Sequence, residues 1–208
     1  MYKRQVTDLL ADPQTESIFV RTIYPINKDV LWLGTTTNGV YCLNIDKKEL
    51  THPIQKGNIT SFYQDSESEL WIGSWEEGLF RVKADGTIEN FKYNAKDPHS
   101  LSSNFVRACC EDNLGNIWIG TFNGLNRYNK ITGLFQNHTA NDTQADGLTH
   151  SSIWCIVKDN QGTLWLGTYF GGVNYFNPEY EIYTRYSYSS NEKKGLSNPV
   201  VGRTIEDR

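Results

Sequence analysis

The sequence has no long apolar run, no excess of positive charge and no helical periodicity, and each absence excludes a class of protein. No stretch approaches the roughly 18 apolar residues of a membrane-spanning helix and no signal peptide is visible, so we expect no membrane segment within this chain. Lys and Arg number 20 against 24 Asp and Glu, which gives a net charge of −4 and argues against a nucleic-acid partner. Apolar residues alternate with period 2 rather than 3.6, which indicates strands instead of amphipathic helices.

Motifs for catalysis and for cofactor binding are also missing. The four histidines have no metal-ligand spacing, and there is neither a glycine-rich phosphate loop nor a nucleophile motif. We therefore predict no metal site, no cofactor and no enzymatic activity in this chain. A pair of carboxylates that performs acid–base work on a glycosidic bond is the alternative, and its loose candidates are Glu76, Glu77 and Glu111.

One pentapeptide, apolar-Trp-apolar-Gly-hydroxyl, is present four times. Its copies are LWLGT (31–35), LWIGS (70–74), IWIGT (117–121) and LWLGT (164–168). The tryptophans are 39, 47 and 47 residues apart, and periods of this size are typical of repeat architectures. The repeat units extend over about residues 18–57, 58–104, 105–151 and 152–199, and a truncated fifth unit begins at residue 200.

The third unit shows why each repeat is expected to form short strands. VRACCE (106–111) alternates, with Val106, Ala108 and Cys110 predicted on one face, and DNLGN (112–116) has the residues of a turn. IWIGT, LNRYN and GLFQNH then follow as three further strands. Four short strands in about 40–50 residues are typical of a β-propeller blade, whereas a flat sandwich gives no reason to repeat one Trp and one Gly at a fixed phase. We therefore predict an all-β chain of four-stranded antiparallel blades.

The repeated tryptophans and glycines are predicted to form the structural core. A wide aromatic ring fills the gap between neighbouring blades, and the glycine allows close approach of another backbone or a bend in the strand. The predicted core residues are Trp32, Trp71, Trp118, Trp165, Gly34, Gly73, Gly120 and Gly167. We interpret Asp112 and Asp159, which open D-x-x-G turns, as turn formers rather than calcium ligands.

The four cysteines are Cys42, Cys109, Cys110 and Cys155, without a C-x-x-C pair. Adjacent Cys109 and Cys110 are expected on opposite faces of one strand. Small buried apolar residues are the favoured interpretation, and a disulfide between blades stays open as the alternative.

The stretch EDNLGNIWIGTFNGLNRYN, with DPHSLSSNFVR before it, resembles the regulator-propeller repeat of bacterial two-component sensors. Trp118, Gly120, Thr121, Gly124 and Leu125 carry the resemblance, which covers nearly the whole chain through their counterparts. The first two units depart from it, because INKDV and DSESE replace the D-x-x-G turn.

The resemblance implies a fragment of the periplasmic sensor region of a hybrid histidine kinase. In such a sensor, a glycan breakdown product would bind the propeller, shift the packing of a homodimer and signal across the inner membrane to the kinase. The implied partners are the remaining blades of the parent chain, a second copy of the sensor and an oligosaccharide. A structural or adhesive propeller without kinase output is the alternative, and a propeller glycosidase or lyase is less favoured.

The extent of the chain leads to two further expectations. Since propellers have about four to eight blades, we expect an incomplete arc of about four blades from a larger propeller, which by resemblance has about seven. The first five residues, MYKRQ, are what the end of a transposase adapter used in library preparation encodes when GTG serves as the start codon. We interpret residues 1–5 as translated adapter, with an ordinary basic start as the alternative.

A ligand site is predicted on one rim of the blades. The turns between second and third strands contain SWEEG, TFNG and TYFGG, and the inner strands that start beside them carry Arg21, Thr60, Arg107 and Trp154 at equivalent positions. Aromatic rings with arginine donors suit a sugar or an anionic oligosaccharide. The predicted ligand-binding residues are Arg107, Trp154, Arg21, Trp75, Phe122, Tyr169 and Phe170, with Arg107 and Trp154 at the centre. The alternative is that these aromatic side chains only cover the blade ends or meet a partner domain.

Overall fold

A computed structural model describes residues 18–140, 147–179, 182–189 and 195–204. The regular secondary structure in these ranges consists of β-strands alone. The sixteen strands form four sheets, each built from four strands that follow one another in sequence. This arrangement confirms the predicted four-stranded antiparallel blades. Residues 1–5, interpreted as translated adapter, lie outside the described ranges.

The first two blades contain strands β1 to β8. Their bounds are β1 (Val20–Pro25), β2 (Val30–Thr35), β3 (Val40–Asn44) and β4 (Glu49–Ile54), then β5 (Ile59–Gln64), β6 (Leu70–Ser74), β7 (Leu79–Val82) and β8 (Ile88–Phe91). By internal contacts the chain divides into two compact units, Met1–Thr60 and Ser61–Arg208. The first unit thus contains blade 1.

The third and fourth blades lie entirely in the second unit. Their strands are β9 (Val106–Glu111), β10 (Ile117–Thr121), β11 (Gly124–Asn129) and β12 (Leu134–His138), then β13 (Ile153–Lys158), β14 (Leu164–Thr168), β15 (Val173–Asn177) and β16 (Ile182–Tyr186). Two apolar clusters join the blades of this unit. One combines Trp71 and Leu79 of blade 2 with Ile117 and Ile119 of blade 3, and the other combines residues of blades 3 and 4.

The repeated tryptophan is bonded to the aspartate that opens the preceding turn. Trp118 Nε1 donates to Asp112 Oδ2 at 2.7 Å, and Trp71 and Trp165 make the same bond to Asp65 and Asp159 at 2.9 Å. The other oxygen of each carboxylate accepts backbone N–H groups of the turn. One carboxylate therefore holds the turn and satisfies the indole N–H, which would otherwise be buried without a partner.

The turn of blade 2 lacks the glycine but keeps the same backbone. Ser68 has φ of 65° where Gly115 and Gly162 have 79° and 86° in the next two blades. The departure of DSESE from the repeat pattern is therefore accommodated by a serine in the left-handed region, at a modest energetic cost.

The predicted core tryptophans differ in burial. Trp71 and Trp118 are completely buried, whereas Trp32 and Trp165 are only partly buried. Both clusters of the second unit include one of the buried rings, Trp71 in the first and Trp118 in the second. The repeated ring is therefore completely buried in blades 2 and 3 and partly buried in blades 1 and 4.

The face assignment predicted for VRACCE is wrong, because β9 contains a bulge. Val106 pairs with Thr121 and Ala108 with Gly120, so Arg107 is an extra residue in the strand. A bulge reverses the alternation of side chains beyond it. Val106 therefore packs in the same cluster as Cys109, while Ala108 and Cys110 belong to the opposite face.

All four cysteines are free thiols. Cys109 and Cys110 are buried in the two different clusters, and Cys42 and Cys155 are partly buried. Burial raises the pKa of the Cys110 thiol to about 11, so it is protonated at neutral pH. These cysteines serve as small packing residues.

The glycine of the pentapeptide faces the first strand of the following blade. A Cβ added at Gly120 would lie 2.8 Å from Ile153 Cγ2, and one added at Gly34 would lie 2.6 Å from Ile59 Cγ2. At Gly167 the added atom would meet Cys155 Sγ and the carbonyl oxygen of Val201. Gly73 is buried at the same position of β6. Close approach of the next strand is therefore the physical reason for glycine here.

Gly120→Ala is expected to lower the free energy of unfolding by about 1–3 kcal/mol, because the new methyl group overlaps Ile153. Denaturant unfolding of the protein measures this loss. The variant Gly120→Ala/Ile153→Ala serves as the control, since removing the opposing side chain makes room for the methyl group. Its cost should be smaller than the sum of the single costs, and additive costs would contradict the overlap.

Candidate ligand-binding site

The last residue of the pentapeptide fixes the turn that follows it. Ser74 Oγ, Thr121 Oγ1 and Thr168 Oγ1 are buried and each donates to the carbonyl oxygen of the glycine that ends the turn, at 2.9 Å. In blade 1, Thr35 makes the same bond to Gly39. The repeated hydroxyl therefore anchors the turns that carry the predicted aromatic residues. The sequence showed that the hydroxyl residue is repeated, but not that its side chain holds the following turn.

Three of the four predicted inner-strand residues stand at register shifts of their strands. Arg107 is skipped between the pairs Val106–Thr121 and Ala108–Gly120, and Trp154 is skipped in the same way between Ile153 and Cys155. The register of β1 shifts likewise at Arg21. Bulges redirect a side chain and are frequent beside functional sites. The backbone thus singles out the positions at which the repeat units carry different residues.

In the second unit, Arg107 and Trp154 form one stack with Trp75. The guanidinium carbon of Arg107 lies 4.5 Å from the ring centroid of Trp75 and 4.1 Å from that of Trp154. Both distances are within the range of cation–π attraction. Blade 3 thus contributes a cation between an indole of blade 2 and an indole of blade 4.

The stack continues to the exposed surface on blade 4. The rings of Trp154 and Tyr169 are nearly parallel, with centroids 5.2 Å apart, and Tyr169 meets Phe170 edge-on at 4.3 Å. His150 lies 6.3 Å from Phe170. Tyr169 and Phe170 are 37% and 56% exposed, so the aromatic surface of this end faces solvent.

A second branch runs along blade 3. Phe105 meets Trp75 edge-on at 5.3 Å and lies 6.1 Å from Phe122, which is 52% exposed. We name the eight residues of the stack and its branch the aromatic rim: Trp75, Phe105, Arg107, Phe122, His150, Trp154, Tyr169 and Phe170. Sequence reasoning missed Phe105 and His150. The signal for Phe105 was its place directly before the first strand, where Phe19 stands in blade 1.

Arg21 belongs to the first compact unit, where it has a polar partner. Its Nη1 donates to Asn58 Oδ1 at 2.7 Å. Thr60 occupies the corresponding position of β5. Within the second unit the structure brings together six of the seven predicted ligand-binding residues, and within the first unit Arg21 has Asn58 as a polar partner.

Two of the three candidate catalytic carboxylates serve other contacts. Glu77 forms an ion pair with Lys92 at 2.7 Å, and Glu111 accepts hydrogen bonds from Lys130 and Ser66 at 2.9 Å. Within the described ranges no group of three His, Cys, Asp or Glu residues is placed to hold a metal ion. None of those ranges contains a helix long and apolar enough to cross a membrane.

The bladed architecture defines a β-propeller chain, and comparisons with known proteins specify it further. A family model described as two component regulator propeller matches residues 53–76, 100–123 and 147–170. Each matched segment ends in a turn of the aromatic rim. Three segments of the chain are therefore similar to the two-component regulator propeller repeat, as the resemblance of the third unit predicted.

Solved structures from Bacteroides thetaiotaomicron share the fold. The extracellular domain of BT4673, designated a hybrid two component system, is 25% identical with a TM-score of 0.69 over 92% of this chain and 25% of that one. A second structure, designated the extracellular domain of the one component system BT4673, is 24% identical with a TM-score of 0.71 over 95% and 26%. The chain thus spans about a quarter of these domains.

The structure of virginiamycin B lyase from Staphylococcus aureus is more distantly similar to this chain. It is 15% identical, with a TM-score of 0.62 over 81% of this chain and 55% of the lyase, which shows a shared fold alone. No curated protein sequence matches the chain.

Proposed function

We propose that this chain is part of the ligand-sensing periplasmic region of a two-component sensor histidine kinase. The ligand is a glycan-derived oligosaccharide that binds at the aromatic rim. Binding shifts the packing of a sensor dimer, and a membrane helix outside this chain transmits the change to the kinase. The observation that carries the proposal is the exposed aromatic rim on regulator propeller repeats.

The rim has the properties that saccharide binding requires. Phe122, Tyr169 and Phe170 present ring surface to solvent on turns that buried hydroxyls hold in place. Exposed aromatic clusters of this kind mark binding surfaces, and rigid turns reduce the entropy lost when a ligand is bound. The bulged residues Arg107 and Trp154 stack beside these rings and support them.

The contacts of the carboxylates favour binding over catalysis. Glycoside hydrolysis needs two carboxyl groups that flank one bond. Glu111 is buried beneath Lys130 and Ser66, and Glu77 is engaged by Lys92. Two of the three candidate carboxylates thus stabilise the blades.

Calorimetric titration of the full-length ectodomain with neutral and acidic oligosaccharides tests the proposal. We expect at least one oligosaccharide to bind, and Trp154→Ala to weaken it by about 10-fold or more, because removing the indole releases both Arg107 and Tyr169.

Tyr93→Ala is the matched control, since Tyr93 is 50% exposed but lies outside the rim. It should leave the affinity unchanged. Binding that is equally tight in wild type, Trp154→Ala and Phe170→Ala would place the ligand elsewhere. The absence of any saccharide binding would favour the scaffold function instead.

A further inference from the structure

We propose that His150 is a specificity-determining residue of the aromatic rim, and that its Nε2–H group donates a hydrogen bond to a hydroxyl oxygen of a sugar packed on Tyr169 and Phe170. The proposal rests on the proposed function and narrows its ligand to saccharides with a hydroxyl group beside the stacked sugar face. Three features of the molecule carry it: the turn bond of His150, the residues at the equivalent positions of other units, and the surroundings of the imidazole ring.

The backbone of the loop before β13 fixes which nitrogen of His150 carries the proton. The backbone N–H of Ser152 donates to His150 Nδ1 at 3.0 Å. Since a backbone amide nitrogen only donates, Nδ1 is the acceptor, and the proton of the neutral imidazole is on Nε2. Ser152 is 2% exposed, so Nδ1 points towards buried backbone. His150 therefore presents a fixed donor on the other edge of its ring.

The same turn bond is present in the neighbouring units with shorter side chains. Alignment of SLSSN, GLTHSS and GLSNPV places Ser103, His150 and Asn198 at one position. The backbone N–H of Phe105 donates to Ser103 Oγ at 3.2 Å, and that of Val200 donates to Asn198 Oδ1 at 2.8 Å. A serine or an asparagine is therefore sufficient for this turn. The imidazole of His150 forms the same turn and adds Nε2–H to it.

The Nε2–H group of His150 is accessible to a ligand. The hydrogen bond that the described residues give this ring goes to Nδ1, and His150 is only partly buried. Nε2 is not among the buried polar atoms that lack a hydrogen-bond partner within those residues. This donor is therefore open to solvent, and a ligand oxygen that takes the place of water on it preserves the hydrogen bond.

The loop that carries His150 is held on both sides of the residue. Thr149 donates its backbone N–H and its hydroxyl to Asn174 Oδ1, at 3.2 and 2.7 Å, and Asn174 is completely buried. On the other side, the carbonyl oxygen of Ser152 accepts from the backbone N–H of Tyr169 at 3.0 Å. The loop also presses on the turn itself, because a Cβ added at Gly171 would lie 2.9 Å from His150 Cβ. A donor fixed in this way loses little entropy when it binds a ligand.

The His150 ring lies beside the exposed rings of the blade 4 turn. Its centroid is 6.4 Å from that of Tyr169 and 6.3 Å from that of Phe170, with both pairs of rings at steep angles. These two neighbours are 37% and 56% exposed. A sugar that packs an apolar face on such rings directs its hydroxyl groups sideways, and a few placed polar groups then fix its orientation. An uncharged donor beside exposed aromatic rings therefore fits a saccharide hydroxyl group.

Calorimetric titration of the full-length ectodomain with tetrasaccharides of glucose, mannose, galactose, xylose and arabinose tests this role. The variants are His150→Asn and His150→Ser, which keep an acceptor for the Ser152 N–H but lack Nε2. His99→Asn is the matched control, because His99 belongs to the same compact unit but lies outside the rim, with Nδ1 3.4 Å from the carbonyl oxygen of Phe135.

We expect both His150 variants to bind the preferred saccharide about 3- to 10-fold more weakly than the wild type, the range for one uncharged hydrogen bond. His99→Asn should leave the affinity unchanged. Both His150 variants should keep the denaturation midpoint of the wild type, because the turn bond is retained. A purely structural role would instead leave the affinity of these two variants at the wild-type value.

Analogues of the preferred saccharide that each lack one hydroxyl group identify the contact. One analogue should bind to the wild type about as weakly as the complete saccharide binds to His150→Asn. The two losses should not add when this analogue is titrated into the variant. Should the His150 variants not fold, the wild-type titrations decide, since the proposal requires one hydroxyl group whose removal costs about 3- to 10-fold.

Wild-type affinity in both folded His150 variants, or losses that add for every analogue, would overturn the role of His150. The proposed function would still stand in that case if Phe170→Ala weakened binding. Failure of every saccharide to bind would overturn the proposed function together with the role of His150.

Discussion

Trp118→Ala is expected to lower the free energy of unfolding by about 3–5 kcal/mol, the range for removing a buried aromatic side chain. Trp118 is completely buried, meets Phe176 of blade 4 at 5.0 Å and donates to Asp112. The substitution opens a cavity between two blades and also removes one donor from a carboxylate that is 4% exposed. Denaturant unfolding of the full-length protein measures the loss.

Two comparison variants test why Trp118 matters. One changes Trp118 itself, and the other removes a tryptophan outside the repeated position. Trp118→Phe keeps most of the ring but loses the bond to Asp112, so we expect a smaller loss of about 1–3 kcal/mol. Trp75→Ala removes a partly buried ring of the rim and its contact with Arg107, and should cost less than half as much as Trp118→Ala. Equal losses for Trp75→Ala and Trp118→Ala would show that the repeated ring has no special place in the core.

Periodicity made the blades predictable, because each unit contains a complete set of strand and turn signals. Trp118 and Gly120 recur at fixed phase, and their packing between blades requires that recurrence. Local alternation was a weaker guide, since it placed Val106 on the wrong face of β9. The bulge at Arg107 depends on pairing with β10, and no residue pattern within VRACCE signals it.

The sequence indicated six of the eight residues of the aromatic rim, but not how their side chains are arranged. The turns between second and third strands pointed to Trp75, Phe122, Tyr169 and Phe170, because these positions vary while the frame repeats. That Arg107 lies between two indoles depends on the spacing of three blades, which a single sequence does not reveal. The faces of Trp75 and Trp154 are partly occupied by Arg107 and Tyr169, so the exposed rings of Phe122, Tyr169 and Phe170 are the better surface for stacking on a sugar.

A buried ion network joins blades 2 and 3, and sequence reasoning did not detect it. Lys130 Nζ lies 2.9 Å from both Asp65 Oδ2 and Glu111 Oε1, with side-chain exposures of 9%, 0% and 8%. Ser66 adds a backbone and a hydroxyl donor to Glu111. The residues are far apart in sequence, and only the packing of one blade on the next brings them together.

The charges of this network shift the pKa of its members in opposite directions. Burial alone would lower the pKa of Lys130, but hydrogen bonds and charge from Glu111 and Asp65 raise it above the ordinary value. Burial alone would raise the pKa of Asp65, but the Trp71 N–H, Lys130 and the backbone N–H of Glu69 bring it below the ordinary value. The lysine contribution is therefore complete below about pH 10 and is lost as pH rises through its raised pKa. The Asp65 contribution is complete above about pH 4 and is lost as pH falls through its lowered pKa.

Lys130→Met is expected to cost about 3–5 kcal/mol of unfolding free energy at pH 7, because it keeps the apolar stem but leaves two buried carboxylates without their cation. Lys83→Met is the matched control, since Lys83 pairs with Glu89 where both side chains are about one-third exposed, and should cost less than about 1 kcal/mol. The deficit of Lys130→Met should shrink as the pH falls from about 7 towards 4, because burial without the lysine favours protonation of Asp65 in the variant, which removes part of the uncompensated charge. Urea unfolding of both variants across this pH range measures the trend, and a deficit that is independent of pH, or no larger than that of Lys83→Met, would contradict the assigned role of the network.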